Sequence, residues 1–267
     1  MDAVADENQE IEGFTEPYAD IELAAAEMGI LSSVTVKEGD TVQAGQLLAS
    51  LDDTVLQAAL RIAVASKNAR GPLDSATADL ETRETELRKL QELQSRNHAS
   101  QSEVDRVSGE VRMAKARVQA VREELEVKHL EFQRIQAQLN RRQIRSTIDG
   151  VVTDLYRDHG EFVSPSQPTV VRVVQLNPLR IVFSVPIDRR SDIAKGQTVP
   201  LSIGSGTLPA EALVEFVSPT ADASSGTFRV KVRLPNPQGQ WQAGDRSVLL
   251  LDPATTETPQ RLARRLR

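Results

Sequence analysis

Val104, Val107, Val111, Ala114, Val118, Val121, Leu125, Lys128, Phe132, Ile135 and Leu139 follow one another in alternating steps of three and four residues. Only Lys128 in this series is not apolar. An earlier stretch carries the same code in Val55, Ala59, Ile62, Ser66, Ala69, Leu73, Ala76, Leu80, Arg83, Leu87, Leu90 and Gln94. A seam kept over this many heptads predicts two helices supercoiled on each other, not a helix laid on a globular core. Two arms of about 43 residues each, rising 1.5 Å per residue, reach roughly 65 Å. The function is expected in what such a hairpin reaches.

The ends of the arms are marked. Thr54 and Gln57 predict a capping box that opens the first arm, and Ser100 with Glu103 predicts one for the second. The turn then falls at about Ser95–Ala99, a usual length for a helix–helix connection. Gly71-Pro72 interrupts the first arm. An interior proline costs a helix about 3 kcal/mol, so a kink or frayed turn is expected there. The heptad frame runs on across it from Ala69 to Leu73, which argues against a domain boundary. Arg83 and Lys128, the charged seam positions, are read as register-setting residues.

The flanks of the hairpin read as β structure. Short apolar runs and glycine turns fill residues 21–53, and a related pattern returns at 144–178. Gly29-Ile30-Leu31 matches Gly150-Val151-Val152, and Gly39-Asp40-Thr41-Val42 matches Gly160-Glu161-Phe162-Val163, at one constant offset of 121 residues. The simplest construction is one two-fold β-sandwich split by the hairpin, residues 54–143. Five further strand-like runs over 179–252, at Arg180–Val185, Thr198–Ile203, Ala212–Val217, Thr227–Leu234 and Val248–Leu251, predict a small antiparallel barrel, with Gly204-Ser205-Gly206 as one of its hairpin turns. Residues 1–20 are expected as a flexible lead-in with room for a strand at its end, and 253–267 as a tail with four Arg in its last seven residues. The fold class is therefore α+β.

Composition narrows the function. Net charge of −6 lacks the basic footprint of a nucleic-acid binder. Without cysteine there is no disulfide, thiolate metal site or cysteine nucleophile. No run approaches the 18 apolar residues of a membrane span. The first ten residues, MDAVADENQE, are acidic and unlike a signal peptide. The expectation is a cytosolic protein, or one whose targeting or anchoring segment is not in this chain. His98, His129 and His159 fall on the tip, the second arm and a β turn, too dispersed to share a metal. The carboxylates lie at helix spacings that favour solvation and ion pairs. No catalytic constellation or cofactor site emerges.

Val36-Lys37-Glu38-Gly39-Asp40-Thr41-Val42-Gln43-Ala44-Gly45-Gln46-Leu47-Leu48-Ala49-Ser50-Leu51-Asp52 resembles the first half of a biotinyl/lipoyl domain, and Ile144–Val152 resembles the start of its second half. Glu215–Asp222 with Gly226–Arg229 is similar to the barrel of the periplasmic adaptor subunits, also called membrane fusion proteins. These serve tripartite efflux pumps and type I secretion systems, and their layout is a coiled-coil hairpin between lipoyl halves, then a barrel. The resemblance covers roughly residues 11 to 251. Thr147 stands where the family commonly has Pro.

The resemblance carries expectations of its own. A lipoyl carrier needs a lysine on its exposed turn, and aligning that turn brings Val55 to the position. The module is then structural and acylates nothing. Adaptors that dock on TolC-type channels carry an Arg, Leu, Ser, Asp pattern at the hairpin tip. Leu93, Ser100 and Asp105 match its spacing, and Lys89 falls where the Arg would be, keeping the charge without the bidentate fork. The resemblance implies a non-enzymatic adaptor in the periplasm, associated with the inner membrane. It implies two partners, an inner-membrane transporter of ABC or RND type and a TolC-type outer-membrane channel. It also implies a homo-oligomeric ring, hexameric or trimeric. The competing reading of the same residues is a coiled-coil scaffold or tether unrelated to export.

Overall fold

The computed structural model describes residues 11–204 and 208–250. The expected tail with its terminal arginines, the first half of the lead-in, Ser205 and Gly206 of the expected turn, and Leu251 of the last expected strand lie outside the described residues. The chain forms two compact units. One combines the residues up to Ala49 with those from Ile144 onward, and the other is Ser50–Gln143.

The first unit opens with β1 (Ile11–Ala24), β2 (Gly29–Val34), β3 (Thr41–Val42) and β4 (Leu47–Leu51). After the hairpin follow β5 (Gln143–Arg145), β6 (Gly150–Leu155), β7 (Phe162–Val163) and β8 (Thr169–Pro186). The internal repeat is realised strand for strand: β2 corresponds to β6, and β3 to β7. The halves interlock by exchange. Gly29 and Ile30 pair with Val163 and Phe162, while Gly150 and Val151 pair with Val42 and Thr41. Leu31 N–H donates to Glu161 O and Val152 N–H to Asp40 O, each at 2.9 Å. Gly39 and Gly160, the matched turn glycines, both take positive φ, at 91° and 87°. A side chain there would be strained. Leu31, Val42, Leu48, Val152 and Val163 fill the space between the two sheets.

The barrel is built from β8, β9 (Thr198–Ile203), β10 (Leu208–Asp222), β11 (Thr227–Leu234) and β12 (Arg246–Leu249), and it closes through β1. Residues 11–20, the second half of the expected lead-in, are thus strand throughout. Ile11–Phe14 pair with β12, and Gly13–Pro17 pair with the barrel half of β8. Inward positions alternate as period-two strands require: Leu179, Ile181, Phe183 and Val185 on β8, and Phe228, Val230, Val232 and Leu234 on β11. β1 and β8 run on together from barrel into sandwich, with a register shift between Pro17 and Ala19.

The second unit is the hairpin: α1 (Thr54–Lys67), α2 (Gly71–Ser95) and α3 (Gln101–Arg141). On α3 every predicted seam position is buried or partly buried. On α2 the same holds from Leu73 to Gln94. Two expectations for the first arm need correction. The heptad frame does not run through Gly71-Pro72. Val55 and Ile62 are 82% and 69% exposed, and α1 instead presents Leu56, Ala59, Leu60 and Ala63 to Phe132, Ile135 and Leu139. The cause is the break. α1 ends at Lys67, and α2 restarts with Pro72 in its first turn, where a missing N–H costs nothing. Residues 68–70 leave the helical spiral and reset its phase. The Thr54–Gln57 capping box is also not formed. Asp53 is the N-cap, Gln57 Nε2 donates to Asp53 Oδ1 at 2.9 Å, and the Thr54 hydroxyl donates to Asp52 Oδ1 at 2.7 Å.

Candidate functional site

The closed end of the hairpin is shaped by two complementary caps. α2 ends in a Schellman arrangement. His98 N–H donates to Leu93 O at 2.8 Å, and Asn97 N–H donates to Gln94 O at 2.9 Å. Asn97, at φ 60°, takes the left-handed place that a glycine usually fills. α3 then opens with the predicted capping box. Glu103 N–H donates to Ser100 Oγ at 3.3 Å, and Ser100 N–H donates to Glu103 Oε2 at 2.8 Å. The Ser100 hydroxyl also donates to Glu103 Oε2. The backbone N–H of Ser100 is the main reason that the Glu103 carboxyl is held below the usual glutamate range, with the Ser100 hydroxyl and nearby Arg106 adding to it.

A relay of amides crosses the tip. Gln94 Nε2 on α2 donates to Gln101 Oε1 at 2.6 Å, and Gln101 Nε2 donates to Asp105 Oδ1 at 2.8 Å. Deeper along the arms, Glu110 accepts from Arg83 Nη1 at 2.8 Å and from Arg106 Nη1 at 2.6 Å, joining them. Lys128, the other charged seam residue, pairs within its own helix with Glu124 at 2.7 Å.

The structure separates the four tip residues. Lys89 and Leu93 line one cleft of about 750 Å³ together with Glu103 and Arg106. Leu93 is 43% exposed, an apolar side chain held at the end of a helix with charge on both sides. Ser100 is engaged in its cap. Asp105 is not part of this cleft; its helical phase turns it to the opposite flank, where Gln101 holds it. Sequence reasoning did not find Asn97 or Gln101, and it placed Gln94 in the seam without its bond across the tip. An asparagine between two arms is a signal for the left-handed cap, but the amide relay has no sequence signature. Val55, at the place of a carrier's lysine, lies inside α1. Among the described residues no helix is long and apolar enough to cross a membrane.

These features meet in one comparison. The RND membrane fusion protein barrel-sandwich hybrid domain matches residues 20–175. The chain belongs to the membrane fusion protein family. Nodulation protein NolF of Rhizobium meliloti is 30% identical over 78% of this chain and 53% of its own length. Multidrug resistance protein MdtA of Escherichia coli is 27% identical over 78% of this chain and 49% of its own. The chain therefore spans about half the length of these two relatives. The crystal structure of MacA from Actinobacillus actinomycetemcomitans, 22% identical, superposes with a TM-score of 0.70 over 90% of this chain and 77% of that one. That likeness establishes the fold of a membrane fusion protein adaptor: helical hairpin, barrel-sandwich hybrid and barrel.

Proposed function

We propose that this membrane fusion protein is a periplasmic adaptor that bridges an inner-membrane transporter, of ABC or RND type, to a TolC-type outer-membrane channel. In this reading the hairpin tip meets the channel, the lipoyl-like sandwiches pack side by side as a homo-oligomeric ring, hexameric or trimeric, and the barrel faces the transporter. The chain is associated with the inner membrane and acts without catalysis or cofactor.

The observation that carries the reading is the exposed Leu93 beside Lys89 in the tip cleft. An apolar knob next to a cation suits a partner helix end, whose last carbonyls favour positive charge. Ser100 shapes the turn, and Asp105 makes a second contact from the other flank. The names of the relatives, one a multidrug resistance protein, support efflux as the process served.

Export by cells that carry Leu93→Asp or Asp105→Arg in place of the wild type tests this, alongside thermal melts of the purified variants. Both side chains are exposed, so the expected result is lost export with an unchanged melt. Full export by variants that fold normally contradicts tip docking through these residues.

A further inference from the structure

Asp105 is an exposed carboxylate in the second turn of α3, where an unheld aspartate swings among its rotamers. Here it is held. Among the described residues, Gln101 Nε2 is the one side-chain donor to it, on Oδ1 at 2.8 Å. Gln101 is engaged in turn from the other arm, its Oε1 accepting from Gln94 Nε2 at 2.6 Å. Charge dictates the direction of both bonds. A carboxylate only accepts, so Gln101 turns its amide nitrogen to Asp105 and its carbonyl oxygen to Gln94, which donates. Both ends of the relay are anchored. Gln94 is a half-buried seam position on α2. Gln101 directly follows the Ser100 N-cap, so the capping box and the left-handed Asn97 fix its backbone. Asp105 stands four residues on, where two helical side chains share a face.

We propose that Gln101 is a positioning residue for channel docking. Tied to α2 through Gln94, it holds Asp105 by Oδ1 and leaves Oδ2 for an N–H or guanidinium donor on the channel. A carboxylate already ordered in the free chain does not have to be ordered on contact, which favours binding. Gln94 is the neighbour of Leu93 in the chain, so the relay also couples the apolar knob on α2 to the carboxylate on α3. The relay thereby joins tip residues that helical phase sets on opposite flanks.

This role rests on the tip-docking reading, and a double-mutant cycle separates the two. Docking is measured as the yield of channel adduct from a photoreactive amino acid in place of Leu93, in cells that produce a TolC-type channel. The chains compared keep Gln101 and Asp105, or carry Gln101→Met, Asp105→Ala, or both changes. Both side chains are exposed, and melts of the purified variants verify the fold. Gln101→Met should lower the adduct about threefold to tenfold, the cost of ordering one freed side chain on binding. In the Asp105→Ala chain it should lower the adduct no further. Gln101→Glu keeps an acceptor for Gln94 but sets a like charge against Asp105, so it should lose adduct as Gln101→Met does. Adduct unchanged by Asp105→Ala would overturn docking through Asp105, and the positioning role with it. If Asp105→Ala lowers the adduct while Gln101→Met is harmless, or equally damaging with and without Asp105, the positioning role alone is overturned. Full adduct from Gln101→Glu would overturn it as well.

Discussion

Arg83 Nη1 on α2 lies 2.8 Å from Glu110 Oε2 on α3, about three turns below the hairpin tip, and Arg106 holds the other oxygen of the same carboxylate. Arg83 occupies a seam position that an apolar residue would otherwise take. It pairs with the opposite arm, which Lys128, the other charged seam residue, does not do. This pair therefore fixes how α2 and α3 slide past each other.

Removing it should be felt modestly in stability. The two side chains are 40% and 24% exposed, so solvent screens the pair, and Glu110→Ala should cost only about 1 kcal/mol. Arg83→Leu should leave the melt unchanged or raise it, because it completes the apolar seam. Thermal melts by circular dichroism check both. A loss of several kcal/mol in Glu110→Ala would mean that the pair supports the arm itself, not its register.

Two valines nine residues apart on α3 should behave oppositely. Val118 is 4% exposed in the seam, and Val118→Asp buries an unpaired charge, costing about 3 kcal/mol or more. Val127 is exposed on the flank, so Val127→Asp should leave the melt nearly unchanged. Equal melts for the two variants would contradict the seam assignment.

Gly150 starts β6 where the sandwich halves exchange strands. A Cβ there would stand 2.4 Å from the Val174 carbonyl oxygen on β8. Gly150→Ala should therefore destabilise by about 2 kcal/mol through overpacking against backbone that cannot yield. Denaturant midpoints measure it, and an unchanged midpoint would show that β6 and β8 can separate without cost.

The capping box should carry a pH signature. The Glu103 carboxyl is held below its ordinary range when folded, chiefly by the Ser100 N–H. Its contribution is present above the unfolded glutamate pKa and is lost as pH falls through the lower folded value. The Ser100 amide resonance should shift across that acidic window in the wild type. It should stay constant in Glu103→Gln, which keeps an acceptor without the titration. A resonance that moves identically in both would exclude the box as its cause.

The heptad seam, both arms, the tip turn, the split sandwich and most of the barrel were legible because each rests on periodicity or on an exact repeat. Three features were not. β1 closes the barrel with Gly13 and Thr15 at inward positions, so its alternation carries little apolar signal. Gly13 is required because Phe183 and the Val182 carbonyl oxygen leave a Cβ under 3 Å of room, and Thr15 donates to Gln242 O at 2.6 Å. The phase of α1 was misread because the sequence offers two apolar stripes, through Val55 and Ile62 or through Leu56, Leu60 and Ala63. Pattern alone cannot choose between them once Gly71-Pro72 breaks the helix. At the tip, the spacing identified Ser100 as a cap. Helical phase, which a linear motif does not display, divides Asp105 from Lys89 and Leu93.

The central claim is that the tip meets an outer-membrane channel, and a photoreactive amino acid in place of Leu93 tests it most directly. In cells that also produce a TolC-type channel, irradiation should yield a covalent adduct between this chain and the channel. The same group at Gln133, lower on α3, should yield none. Cells that export normally but give no channel adduct from position 93, or give it equally from position 133, would contradict the account.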